Sequence, residues 1–425
     1  MATATLVDHQ RSRVHPLLFG MVFACFCIGQ VALQAQDFKL FDREVQIHGF
    51  ASQGFVYTNT NNWLTMNSTQ GSAGFTDFGV NASTNITDRL RVGAQFYDRN
   101  LGQLGQYHPS LDWAVADYRF RSWFGVRGGK AKTTLGLYTD SQDLDFLHTF
   151  VLLPQSIYPT DLRDATIAHS GGDIYGSISL NHRLGDLSYT AYAGHRSDSI
   201  YSGYPYLLSQ FGTRFTSFGG LQYGADLRWS TPVKGLLIGI SRMNEDTSGK
   251  GSSVNPLNPG GGRIAYSEWS KADWTNQFYG EYKARKLRID SEYRRYFRDQ
   301  LIFSGTSGNV DDVRGWYISG AYRILKRLEL GSYYSRYSIT SINEGALAAA
   351  GFPNQTDTSL PANHIYDRVI CGRVDLKRFW NVKVEGHFMN GYGSSTYPDG
   401  FYPQVNPNGF KPNTNALVLK TGINF

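Results

Sequence analysis

What most limits the fold of this chain is a period-of-two alternation that recurs along its length, broken in turn by very short and by long polar stretches. In "FTDFGVNASTNI" the residues Phe78, Val80, Ala82 and Ile86 oppose Asp77, Gly79, Asn81 and Ser83. After the turn "TDR", in "LRVGAQFYDRN", Leu90, Val92, Ala94 and Phe96 oppose Arg91, Gly93, Gln95 and Tyr97. An apolar residue at every second position makes a strand with one apolar face, and two such strands around a tight turn make a hairpin. The pattern returns in "GSISLNHRLGDLSYTAYAG", "LQYGADLRWSTPVKGLLIGI", "QFYGEYKARKLRIDSEYRRYF", "GWYISGAYRILKRLELGSYY" and "VICGRVDLKRFWNVKVEGHF". Between hairpins lie stretches rich in Gly, Asn, Ser and Pro, such as Glu245 to Lys271, Thr340 to Asn363 and Tyr392 to Asn413.

This rhythm predicts about sixteen strands, at 44–57, 73–86, 89–101, 112–124, 131–139, 171–181, 186–196, 219–230, 235–244, 272–284, 287–299, 312–324, 328–339, 364–376, 380–391 and 414–425. Seven short turns and eight long loops join them, an even count that suits a closed antiparallel transmembrane barrel with short periplasmic turns and long extracellular loops. A secreted sandwich, propeller or β-helix would also alternate. The strand lengths and the one-sided loops argue against these, since strands of about ten to thirteen residues match a tilted membrane crossing. In "KLRIDSEYRRYF" one face is Leu287, Ile289, Tyr293 and Phe297, and the other is Arg288, Asp290, Glu292, Arg294 and Tyr296. In a barrel the first faces lipid and the second the lumen.

Composition and the first residues agree with an exported barrel. The chain has 46 Gly, 27 Tyr, 26 Phe and 8 Trp, with 41% hydrophobic residues. Arg11 and Arg13 precede an uncharged run from Leu17 to Leu33 and a small residue at Ala35, the pattern of a signal peptide cut near Ala35/Gln36. That divides the chain into a leader, 1–35, and a single barrel domain, 36–425. An uncleaved anchor, or lipoprotein attachment at Cys25, is the weaker alternative. Without the leader the net charge of +6 falls to about +5, too mild to imply a nucleic-acid partner. Cys25 and Cys27 leave with it, so Cys371 has no intramolecular disulfide partner. No later segment approaches 18 consecutive apolar residues, which excludes helical spans.

The last segment, "LVLKTGINF", sets Leu417, Leu419, Thr421, Ile423 and Phe425 against Val418, Lys420, Gly422 and Asn424. A closing strand that ends on an aromatic resembles the signal read by the barrel-assembly machinery, with Phe425 as the contact. From "QIHGFASQGFVY" through "LRVGAQFYDRN", "LDWAVADYRFRSWFGVRGGKAKTTLGLY" and "VLLPQSIYP" the chain resembles a group of Gram-negative porin-like outer-membrane proteins. It is more distantly similar to sixteen-stranded general and substrate-specific porins. The resemblance covers roughly residues 44 to 195 and implies a passive diffusion channel for small hydrophilic solutes, commonly a trimer, embedded in outer-membrane lipid. The chain lacks the "PEFGG" stretch of the general porins' third loop.

The third loop, taken as about Asp140 to Ser170, carries an apolar "FVLLP" that needs burial and a polar "PTDLRD" with Asp161, Arg163 and Asp164. Folded into the lumen, its acids would face Arg91, Asp117, Arg119 and Arg121 on the neighbouring strands. Such a pairing filters solutes by charge. Arg119 is the leading constriction candidate because it is placed well inside its strand. Glu292 and Arg294 stand on the opposite wall. A slight basic excess among inward charges leans toward anions. The bland alternative is a set of solvated lumen charges and loop-anchoring ion pairs.

Tyr201, Tyr204 and Tyr206 offer a stacking surface for sugars, with loop packing the commoner use of such residues. Asp140, Asp143 and Asp145 offer oxygen ligands without the spacing of a calcium loop. No catalytic residue, cofactor site or metal site is expected, as "G-x-S-x-G", "H-E-x-x-H" and a P-loop are all missing. His48, His169, His182, His195, His364 and His387 are scattered. The rival readings are an outer-membrane enzyme acting on lipids and an adhesive barrel whose loops bind a partner.

Overall fold

The computed structural model describes residues 36–40, 43–181, 183–255, 258–393 and 400–425. The expected leader at 1–35, with Cys25 and Cys27, lies outside the described residues, as does His182. Seventeen strands follow in order: β1 Gln36–Leu40, β2 Arg43–Thr58, β3 Ser72–Asn85, β4 Leu90–Leu101, β5 Ser110–Arg121, β6 Phe124–Lys132, β7 Ala168–Asn181, β8 Gly185–Ser197 and β9 Arg214–Ser230, then β10 Leu236–Val254, β11 Arg263–Ala284, β12 Leu287–Ile302, β13 Ser307–Arg323, β14 Leu328–Glu344, β15 His364–Lys377, β16 Trp380–Gly391 and β17 Asn413–Asn424. From β2 to β17 each strand pairs antiparallel with the next. The ring closes where β17 pairs with β2, Val418 opposite Val56. The result is a closed sixteen-stranded barrel, as the alternation predicts, with β1 added as a short partner of β2.

The barrel is inverted relative to a water-soluble fold. The register places Leu417, Leu419, Ile423 and Phe425 outside, and Val418, Lys420 and Gly422 inside. Large apolar side chains on the outward faces are exposed, Phe96 by 60%, Ile370 by 59% and Ile318 by 50%. Inward positions instead hold buried Gln95, Gln277, Glu292, Lys383 and Glu385. An apolar girdle without a protein partner is stable only against lipid.

Two stretches differ from the sequence expectation. The fifth strand is Phe124–Lys132, not 131–139, so the third loop spans 133–167 rather than 140–170. Gly125, Gly128 and Gly129 suggest a turn, yet all three pair within β6. The chain turns instead at Ser122 and Trp123. Second, β10 and β11 reach into the stretch 245–271 that reads as loop. There Asp246, Ser248 and Lys250 face outward while Glu245 and Thr247 face inward. Both faces are polar beyond the lipid, so no alternation marks the strand.

Candidate functional site

The third loop runs through the lumen and touches nearly the whole wall. It leaves β6 at Thr133, whose hydroxyl bonds Gln222 Oε1 on β9 at 3.2 Å. At the far wall Leu137 N donates to Glu292 at 3.1 Å and Tyr158 OH donates to the same carboxylate at 2.6 Å. Gln277 at 2.6 Å and Tyr317 at 2.7 Å complete four donors around one buried acid. The apolar "FVLLP" is buried as expected, with Phe150, Val151 and Leu152 each no more than 6% exposed. Its backbone is capped from below, since Val151 N and Leu152 N donate to Glu385 at 2.8 and 3.2 Å. Lys383 Nζ donates to the carbonyls of Asp145 and Phe150 at 2.7 and 2.9 Å. The amides of this stretch are buried against the wall and shut off from lumen water, so the wall must supply their partners.

The return leg is held as firmly. Ser335 donates to Ser156 Oγ at 2.8 Å, Arg294 to Ile157 O at 2.6 Å and Arg99 to Thr160 O at 2.6 Å. At Gly315, a Cβ would lie 2.1 Å from the Ser156 carbonyl oxygen, so only glycine admits the loop there. Arg163 stacks over the Tyr97 ring at 4.2 Å and bonds Asp112 at 2.5 Å and Asp143 at 2.6 Å. Lys132 joins the same two acids at 2.6 and 2.5 Å. Burial alone would raise the Asp143 carboxyl, but Arg163 and Lys132 hold it well below the usual carboxylate range. Burial pushes the Asp161 carboxyl up. It accepts from Gly400 N at 3.0 Å and Tyr402 OH at 2.6 Å, tying the third loop to the eighth, which follows β16. His148 is 5% exposed and burial pulls its imidazole down to about 4.

Other loops close over this floor. Trp63 and Leu64 of the first loop, Phe401 of the eighth and Val151 and Leu152 of the third share one apolar cluster with Val313, Ile339 and Val418 of the wall. The fourth loop adds a short helix, α1 Gly203–Ser209. Between these parts a cavity of about 90 Å³ lies beside Leu162, Phe218, Met243, Arg294 and Tyr296. A second, about 50 Å³, lies across the loop beside Asp77, Tyr97, His148 and Lys420.

The expected site residues thus fall into two groups. Asp161, Arg163, Asp164, Glu292 and Arg294 all belong to the third loop or to the wall that grips it, with Asp164 3.8 Å from both Arg99 and Arg163. Arg91, Asp117, Arg119 and Arg121 stand together at the short-turn end. Arg91 donates to Ser83 at 2.8 Å, Tyr175 OH donates to Asp117, and the exposed Arg119 guanidinium is 5.9 Å from the Tyr175 ring. Arg119 is not well inside its strand, because β5 ends at Arg121. The loop acids therefore do not face these arginines. Sequence reasoning missed Asp112, Lys132, Arg99, Lys383 and Glu385. Asp112 and Arg99 were readable as inward charges at the long-loop ends of their strands, whereas Lys132 sits in the misplaced β6.

The remaining candidates are absorbed by packing. Tyr204 is 7% exposed and donates to Glu268 at 2.9 Å, Tyr206 meets the Tyr402 ring at 5.2 Å, and Tyr201 stacks on His108 at 3.8 Å. Asp143 and Asp145 are taken by Arg163, Lys132, Lys383 and Lys420. Among the described residues no acidic or histidine cluster has metal-binding geometry. Thr133, His169 and Asp173 form a hydroxyl–imidazole–carboxylate row at 3.0 and 2.7 Å, but all three are at most 3% exposed, leaving no face for a substrate.

With this geometry the barrel matches solved structures. OmpT of Vibrio cholerae, described as an in-vitro folded trimer form, aligns with a TM-score of 0.52 at 11% identity over 90% of this chain and 99% of its own. The anion-selective porin from Comamonas acidovorans aligns at 0.53 and 10% identity, over 90% of this chain and 100% of its own. OmpF from Salmonella typhi aligns at 0.53 and 12% identity over 92% and 100%. The fold is that of the outer-membrane porins. No protein-family model matches the sequence, and neither does any curated protein. At such identities the likeness to these porins is one of fold.

Proposed function

We propose that this chain is an outer-membrane porin that passes small hydrophilic solutes by diffusion, through a lumen narrowed by its third loop. The observation that carries this reading is the seating of that loop across a polar lumen by Glu292, Glu385 and Lys383. Fixed dipoles and charges in a narrow gap select solutes by size and charge. Cavities of about 90 and 50 Å³ beside the loop are the space that such a narrowed passage would use. Arg91, Arg119 and Arg121 at the short-turn mouth favour anions. The reading is of a channel and not of an enzyme.

The signal peptide at 1–35, recognition of Phe425 by the assembly machinery and a homotrimer belong to the same proposal. The outward faces of β4 to β8 carry small residues, among them Ala94, Ala116, Gly128, Gly172 and Ala191, which suits close subunit packing. OmpT of Vibrio cholerae, of the same fold, is described as a trimer form.

The test is single-channel recording of the refolded chain in a planar bilayer, with reversal potential under a salt gradient. Small stepwise openings with an anion-side reversal are expected. A silent bilayer, with folding verified by a heat-modifiable gel shift, would overturn the channel reading and direct attention to lipid hydrolysis.

A further inference from the structure

The outer wall is not uniform. On β10, β12, β13, β14 and β15 the outward face carries Arg242, Arg295, Arg314, Arg336 and Arg368. Each is the seventh to tenth residue from the short-turn end of its strand. Below them the outward positions carry no charge and are mostly apolar, with Ile240, Phe278, Ile318 and Ile370 exposed by 44 to 59%. A tilted strand needs about nine residues to cross the hydrocarbon, so the arginines emerge where lipid tails give way to headgroups on the long-loop side.

The belt is built rather than scattered. Arg295 lies directly opposite Arg314, and Arg336 stands between Trp316 and Tyr366. Like charges placed opposite each other repel, and here a single carboxylate, Asp312, serves both Arg295 at 2.9 Å and Arg314 at 2.8 Å. Among the described residues no carboxylate forms an ion pair with Arg242, Arg336 or Arg368. Arg242 instead donates to Asn244 Oδ1 at 3.0 and 3.1 Å and to Asn276 Oδ1 at 2.9 Å and lies over Trp274 at 5.1 Å, a ring it shares with Arg295 at 5.3 Å. Arg336 lies over Tyr366 at 4.1 Å and Arg368 over Tyr334 at 5.8 Å. At the corresponding outward level the other half of the barrel shows Phe96, Leu111, Gly172 and Ala193, with Lys130 there donating its Nζ to Leu111 O at 2.6 Å.

We propose that this half of the wall is a docking belt for phosphate-bearing lipid headgroups of the leaflet on the long-loop side. Guanidinium pairs a phosphate through two parallel hydrogen bonds. Ring stacking leaves the donor edges of Arg336 and Arg368 open to do so, while Arg242, held by Asn244 and Asn276, and Arg295 and Arg314, which share Asp312, add to the positive charge of the belt. A second copy of the chain is the poorer occupant, since the belt would bring like charges together while the small-residue face lies elsewhere. The proposal rests on the barrel and its register and does not depend on conduction.

The test titrates the purified full chain in detergent with diphosphoryl lipid A and with its dephosphorylated form, counting bound lipid by native mass spectrometry. The intact protein should bind the phosphorylated lipid preferentially. The triple variant Arg295→Gln, Arg314→Gln and Arg336→Gln should lose affinity by on the order of tenfold or more, from the contribution of each basic residue at a charged surface. Arg368→Gln, a single change with less risk to folding, should show a smaller loss in the same direction, and the heat-modifiable gel shift verifies that both variants fold. Equal binding of the dephosphorylated lipid, or unchanged binding by the folded variants, would overturn the proposal. So would loss of an oligomer with lipid binding intact, which would make the belt a subunit contact. Displacement of the lipid by millimolar inorganic phosphate would overturn its assignment to a lipid source.

Discussion

The two ends of the lumen are lined by the same alternation and yet are different environments. Toward the long loops the inward charges are consumed: Glu292 serves four donors and Glu385 caps two loop amides. Toward the short turns Arg91, Arg119, Ser177 and Ser179 remain exposed. Wall polarity is thus a property of the strand pattern, whereas the availability of a wall charge to a solute is decided by the loop that arrives to meet it. A buried carboxylate bound by four donors is a structural pin, whereas an exposed arginine stays open to whatever solute the proposed channel admits.

The largest test of this contrast removes a pin. Glu385→Ala leaves Val151 N and Leu152 N without an acceptor and takes a partner, 2.9 Å away, from buried His387. The seating of the loop should weaken by about 3–5 kcal/mol. Faster amide exchange over residues 148–153 and a higher conductance should follow. If exchange and conductance both stay as in the parent, the loop is not held by its wall.

Acid should act in the same direction. His148 lies among Asp145, Lys383, Arg288 and the Tyr138 ring, and its imidazole is held at about 4 by burial, against an ordinary value near 6.5. Between those values the released loop binds more protons than the seated one, so seating is full above pH 6.5 and weakens as pH falls. By pH 4 the loss from His148 alone is about 3 kcal/mol, offset in part by the Asp161 carboxyl, which burial pushes up. Conductance recorded from pH 7 to 4 should rise, and His148→Gln should flatten the profile.

A third change works by volume. Gly315→Ala places a methyl against the Ser156 carbonyl, a crowding that costs about 1–3 kcal/mol. It should shift residues 154–158 and alter solute-size cut-off, read by liposome swelling with sugars of increasing size. The smallest effect belongs to the open end. Arg119→Ala should leave stability within about 0.5 kcal/mol and move only the reversal potential, toward cations. A fall in thermal stability would show that Arg119 is a pin after all.

Much of the fold was legible because lipid imposes a simple rule on every strand. The faces of "LRVGAQFYDRN" and "KLRIDSEYRRYF" come out of the sequence as they stand in the barrel. Where the rule lapses, so does the reading. Gly128 and Gly129 have no side chain to mark a face, and β6 was displaced into its loop. In β10 beyond Glu245 both faces are polar, and the strand went unseen. The site was less legible for a different reason: Asp161 and Asp143 look alike on paper, but one meets the eighth loop and the other Arg163, and only the folded path of the third loop decides which.

Cys371, the one cysteine among the described residues, lies 5% exposed on β15 and donates its S–H to Thr149 O at 3.3 Å, directly beneath the third loop. While the loop is seated, burial and the Thr149 contact shield that sulfur from a water-soluble thiol reagent. Its labelling rate is therefore a clock for loop opening, already installed in the native chain and readable without engineering a probe.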